Sequence, residues 1–254
     1  MKEEDLVAKW WLWPSALSLE APAIALAWQD LLARSHGTTL RLEGRCALGL
    51  AVWAVYLADR LIDVQFAAGS KEPTPHLFCR GHRRLLIAVL SLVALAGLVL
   101  ATFQLRPQLA LNGAMLAFAV FAYLAFFSWR RALSRAKPLA AAVLFTAGVF
   151  LVAWTFPSSP MESLAADAGV FLALCLGNLM LARSATAAGC GMAVLALVCI
   201  ALNSEPGWYH AAAAGAAGLA IVALLWRRLP GAARGVLADV ALLIPALRLW
   251  TQTG

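Results

Sequence analysis

The sequence predicts an all-α fold, a polytopic membrane bundle of about nine transmembrane helices, and three observations lead there. Hydrophobic residues make up 63% of the 254 and charged residues 13%, with a mean hydropathy of +0.80, whereas soluble domains run at roughly 45–50% apolar and about 25% charged. Apolar runs of about 20 residues, the length that crosses a bilayer, recur along the whole chain. Charged residues gather in short segments between those runs. The expectation is one membrane domain over 1–254, with no stretch left for a separate soluble domain.

Cutting the chain at charge clusters, prolines and glycines gives spans at about 12–34, 46–65, 85–105, 107–128, 138–156, 164–182, 185–203, 207–227 and 233–250. Pro14, Glu20 and Pro22 interrupt the first apolar stretch, unlike the smooth core of a signal peptide, so it reads as a retained span. The seventh and eighth spans are rich in Ala and Gly, and AAAAGAAG at 211–218 lets helix backbones approach closely. The ninth carries Asp239 and Pro245, which a bundle interior tolerates.

Orientation follows from Lys and Arg. One side holds Lys2, Lys9, Lys71, Arg80, Arg83, Arg84, Arg130, Arg131, Arg135, Lys137, Arg183, Arg227, Arg228 and Arg234, against Arg34, Arg41, Arg45, Arg106 and Arg248 on the other. The positive-inside rule then puts the N-terminus in the cytoplasm and, with nine spans, the C-terminus outside. The net charge of +7 is scattered over loops and forms no continuous stripe, which excludes nucleic acid as the partner and leaves membrane lipid. A bacterial inner membrane is the simplest host. The five cysteines form no CxxC pair, so neither a disulfide framework nor a zinc site is implied.

The sharpest chemistry lies on span two, AVWAVYLADRLIDV, where Asp59 and Asp63 are spaced four apart and share one helical face. Ionisable residues within spans are functional-site candidates by default. Paired carboxylates suit Mg²⁺, a hard cation that takes oxygen ligands and bridges to phosphates. Arg60 points away from that face.

The stretch from Val55 to Asp63 resembles the Asp-rich motif N-D-x-x-D-x-x-x-D of the UbiA superfamily of intramembrane prenyltransferases, with Val55 and Tyr56 in place of its first two residues and the last five positions matching. Span number, orientation and basic loops after spans two and four are also similar. The resemblance implies a nine-helix bundle with its active site at the cytoplasmic ends of helices two and six. It further implies an isoprenyl diphosphate donor held with Mg²⁺ by Asp59 and Asp63, which are then catalytic together with Tyr56. Span six, however, ends CLGNLMLARSATAAG with no acid, so the family's second Asp-rich motif is absent.

Arg80, Arg83 and Lys137 are candidates for binding the diphosphate, because fixed cations stabilise the charge that builds on a leaving diphosphate. Glu20, Asn178 and Asp239 are the other polar residues within spans and are candidates for substrate binding. Trp53, Tyr56 and Phe145 lie deeper, as core or as the wall of a prenyl tunnel. Two readings follow: a divergent prenyltransferase or terpene-cyclase-like enzyme, or a non-catalytic bundle of the same fold that binds a lipid or a partner protein. A transporter fits less well, since no pair of broken helices marks corresponding halves. The sequence leaves the oligomeric state, the donor length and the acceptor open.

Overall fold

The computed structural model describes residues 17–66, 81–129, 136–183, 185–202 and 208–251, with side chains except at 65–66, 128–129, 202, 231–232 and 244–251. Within these, the chain is helical throughout and places nine helices over the nine apolar stretches. In chain order they are α1 Glu20–Ser35, α2 Leu42–Phe66, α3 Arg83–Phe103, α4 Pro107–Trp129, α5 Lys137–Thr155, α6 Met161–Ala182, α7 Thr186–Leu202, α8 Tyr209–Leu225 and α9 Gly231–Thr251. Four of them, α3, α4, α5 and α6, are long and apolar enough to cross a membrane, and α7 and α8 are shorter apolar helices.

Proline and glycine set the boundaries. Pro107 and Pro138 sit in the first turns of α4 and α5, where a missing N–H costs nothing, and Pro160 is the N-cap of α6. Among the described residues the first helix begins at Glu20, just after Ser18, which takes a left-handed φ of 54°; the expected stretch from 12 to 16 lies outside the described residues. At its other end Gly37, with φ 63°, supports a Schellman turn in which the Gly37 N–H bonds to the Arg34 carbonyl and the Thr38 N–H to the Ala33 carbonyl. The ninth helix runs through Pro245 without a break.

Most successive helices pack against one another, although α3 packs chiefly on α2 and α4 chiefly on α5, and α9 returns to α1, so the first and last described helices meet. The inner helices are α1 and α6: α1 touches α2, α5 and α9, while α6 touches α5, α7, α8 and α9. Trp28 of α1, Phe150 of α5 and Phe171 of α6 are fully enclosed. The Trp28 Nε1–H donates to the Leu242 carbonyl of α9 at 2.9 Å, which ties the closing helix to the first. Between α6 and α7 the backbones approach closely at Gly177 and Gly189, where a Cβ on Gly189 would stand 2.7 Å from Leu181.

Helices α3 and α4 differ from the rest, since only 11% of the apolar window of each is buried. Leu92, Leu98 and Phe103 on α3, and Leu111, Phe118 and Phe121 on α4, are largely exposed. Contiguous apolar surface of this extent belongs against lipid or protein.

Candidate functional site

Glu20 opens α1, Asp59 and Asp63 lie in the last turns of α2, Lys137 opens α5, Asn178 lies in the last turn of α6, and Asp239 lies in the first half of α9. In a bundle that alternates direction these positions share one end. Asp59 and Asp63, one turn apart, converge on a single cation, the Lys137 ammonium. Its Nζ lies 2.9 Å from Asp59 Oδ1, and 3.0 and 2.9 Å from the two oxygens of Asp63. Lys137, expected as a diphosphate contact, here compensates the acid pair.

Arg60 turns to the opposite flank of α2, as its spacing from Asp59 and Asp63 requires, and there its Nη2 reaches Glu20 Oε1 of α1 at 3.2 Å. Asn178 donates from Nδ2 to Asp239 Oδ1 at 2.8 Å, joining α6 to α9. The two pairs are neighbours, because Asp239 lies within electrostatic reach of both Glu20 and Arg60. Tyr56, one turn before Asp59, lies within reach of Asp59 and Asp239 and links the pairs to the carboxylates. On the far side Tyr123 of α4 is within reach of Asp59, Asp63 and Arg183, the residue that caps α6.

Glu20, Tyr56, Asn178 and Asp239 therefore gather around the α2 carboxylates, a convergence that helical periodicity does not fix. Arg83 stands exposed on the first turn of α3. Arg80, the third expected cation, lies outside the described residues, as do Lys71, Arg130, Arg131 and Arg135. Below the polar layer the Tyr56 ring meets Phe145 edge to face at 6.2 Å, and Phe145 stacks on Phe171 at 6.1 Å. Trp53 fixes its indole by donating to the Leu17 carbonyl at 3.0 Å.

The chain matches no family model, no curated protein and no solved structure. None of these comparisons identifies a relationship to the UbiA superfamily. What the site can do chemically rests on its residues.

Asp59 and Asp63 offer carboxylate oxygens of the kind that bind a hard divalent cation. The Lys137 ammonium contacts both, so the two carboxylates face one cation-sized position. Among the described residues no cluster of three or more His, Cys, Asp or Glu side chains surrounds such a point, so the protein would supply two ligands. That number suits Mg²⁺, which commonly takes one or two carboxylates and completes its shell with water and phosphate oxygens. Asn178 adds a buried Oδ1 acceptor to which no hydrogen bond is made, a group that favours a donor arriving from outside the protein.

One polar cluster went unread in the sequence. Asp167 of α6 is buried and bonded to His36, Trp208 and Tyr209 at the other end of the bundle. It was legible as an acid inside span six, by the same rule that singled out Glu20 and Asp239.

Proposed function

We propose that the chain is a divergent UbiA-like intramembrane enzyme, a prenyltransferase or terpene-cyclase-like protein, that ionises an isoprenyl diphosphate at the Asp59/Asp63 end of a nine-span bundle. The observation that carries this reading is the aim of both carboxylates at one cation position, beside Tyr56 and above an apolar interior. Mg²⁺ held by Asp59 and Asp63 would supply electrophilic stabilisation of the departing diphosphate.

The chain's own residues divide the remaining work. Lys137 neutralises the carboxylates when the site is empty and turns to the phosphate oxygens when it is filled. Arg83 and Arg80 meet the diphosphate from the aqueous side. Asn178 and Asp239 hold the α6 and α9 wall in register, and the unused Asn178 Oδ1 accepts from a water or an acceptor hydroxyl. Tyr56 and Phe145 present aromatic rings where the allylic chain would enter, and such rings stabilise cationic character. In this reading the site faces the cytoplasm of a bacterial inner membrane, and α3 and α4 lie against lipid.

The test uses purified protein with Mg²⁺ and labelled farnesyl or geranylgeranyl diphosphate. Diphosphate release by the wild type that vanishes in Asp59→Asn with Asp63→Asn is the expected result. Absence of release at every donor length refutes catalysis.

A second reading has its own support: Lys137 already satisfies the acid pair, and no acid closes span six. A non-catalytic bundle of the same fold that binds a lipid or a partner protein would keep Asp59 and Asp63 as helix ties. Retained binding of a prenyl lipid without turnover, together with unfolding of the double variant, would favour it.

A further inference from the structure

We propose that Ser159, His36 and Asp167 form a second reactive site, at the end of the bundle opposite Asp59 and Asp63, in which Ser159 attacks carboxylic esters of membrane lipids. Three separate elements supply it. The Schellman turn that stops α1 leaves His36 at the C-cap, Ser159 lies in the segment between α5 and α6, and Asp167 lies in the second turn of α6. The His36 ring lies 2.7 Å from Asp167 Oδ2 through Nε2 and 3.1 Å from Ser159 Oγ through Nδ1.

The hydrogen bonds around Asp167 fix the direction of the relay. Trp208 Nε1–H donates to Asp167 Oδ2 at 2.9 Å and the Tyr209 hydroxyl to Oδ1 at 2.8 Å. An indole can only donate, and an ionised carboxylate can only accept. Asp167 is thereby an acceptor on both oxygens, and His36 carries its proton on Nε2. In the neutral ring this tautomer leaves the Nδ1 lone pair facing the Ser159 oxygen, the arrangement of a base beside a nucleophile with a third group orienting the base. Compared with the familiar serine hydrolase triad the ring is used in reverse, with the carboxylate on Nε2 and the serine on Nδ1. Either tautomer of imidazole can perform the transfer. The Ser159 hydroxyl also donates to the His36 carbonyl at 3.3 Å, a longer bond than its contact with Nδ1, and its one proton must leave that carbonyl for Nδ1 before the serine attacks.

Access and charge stabilisation are present as well. His36 and Asp167 are buried, but Ser159 is half-buried between exposed Ser158 and exposed Pro160. Helix α6 begins two residues later, and its N-cap, Pro160, makes no side-chain cap. The first-turn amides of Met161, Glu162 and Ser163, which follow Ser159 closely in the chain, have no carbonyl one turn earlier within the helix to bond and would be the donors offered to an oxyanion. Met161 is 53% exposed and gives an acyl chain an apolar approach. Nearby in the chain, Thr39 and Phe156 share the wall of an open depression with Arg41, Arg106 and Glu43, where Glu43 lies 3.8 Å from Arg41 and Arg106 lies over the Phe156 ring.

The step balances with water alone. Ser159 Oγ bonds to the carbonyl carbon as its proton passes to His36 Nδ1; the ester C–O bond then breaks and that proton goes to the departing alcohol. Water, deprotonated by His36, adds to the acyl-serine, and the carboxylic acid leaves as Ser159 recovers its proton. A structural knot would need Asp167, His36, Trp208 and Tyr209, but it would not need Ser159 to react.

The experiment treats the full chain in detergent micelles with an alkyl fluorophosphonate and maps the adduct by mass spectrometry, alongside hydrolysis of p-nitrophenyl octanoate. The expected result is an adduct on Ser159 in the wild type and in Ser158→Ala, its loss in Ser159→Ala, and a fall in hydrolysis of about a hundredfold or more in that variant. Thermal unfolding of Ser159→Ala close to the wild type shows that the loss is chemical. No adduct on Ser159, or hydrolysis unchanged in Ser159→Ala, overturns the proposal. Neither result bears on Asp59 and Asp63, which stand at the other end.

Discussion

Replacing Lys137 by Met removes the one charge that both α2 carboxylates contact. The ammonium makes three contacts of 2.9–3.0 Å with Asp59 and Asp63, its side chain 16% exposed and theirs 31% and 45%. Exposed ion pairs contribute about 0–1 kcal/mol, and breaking a buried one costs about 3–5 kcal/mol. This half-buried, doubly bonded lysine falls between, at about 2–3 kcal/mol, and the two acids left one turn apart then repel each other. The folded fraction in an SDS titration of the micelle-bound protein should shift by the corresponding factor of about 30–150. In the Asp59→Asn, Asp63→Asn background the same Lys137→Met change should cost under about 1 kcal/mol, because the neutral amides no longer need a cation. Millimolar Mg²⁺ should restore part of the stability lost in Lys137→Met, since a divalent ion can take the vacated position. A Lys137→Met variant within about 0.5 kcal/mol of the wild type, or an equal loss in both backgrounds, would refute the coupling.

Three further outcomes follow from the packing. Trp28→Phe keeps an aromatic ring but loses the buried indole bond to the Leu242 carbonyl, and should cost about 0.5–1.5 kcal/mol in the same titration. Gly189→Ala drives a methyl to 2.7 Å from Leu181 and should cost about 1–3 kcal/mol, while Gly169→Ala, with nothing within 4 Å, should be neutral or slightly stabilising. Asn178→Leu removes the donor to Asp239 and should destabilise the α6–α9 contact by about 1–3 kcal/mol; restoration by Asp239→Asn in the Leu background would tie the loss to the unpaired carboxylate.

The succession of helices was legible because length and apolarity act locally: each apolar run between charge clusters became a helix, from α2 at Leu42–Phe66 to α9 at Gly231–Thr251. The shared face of Asp59 and Asp63 was legible for the same reason, since a spacing of four fixes their direction whatever the helix touches. What each acid meets was not legible. Lys137 is 74 residues from Asp63, and Asn178 is 61 from Asp239; such partners depend on helix packing, which periodicity does not encode. Asp167 escaped notice for another reason. It stands in the second turn of α6, where it resembles an interfacial charge until His36 and the adjacent Trp208 and Tyr209 are brought to it from two distant segments.

The tie between Lys137 and α2 also sets an order on biogenesis. Synthesis delivers Asp59 and Asp63 to the membrane more than 70 residues before the lysine that balances them, whereas Glu20 and Arg60, 40 residues apart, meet sooner. Between those two moments α3 and α4 are made, and α3, with a mean hydropathy of 2.7, is long and apolar enough to cross a membrane. The acidic end of α2 cannot settle until the fifth helix arrives. A ribosome paused between α4 and α5 should hold a nascent chain with two helices committed to the bilayer and one still waiting at its edge.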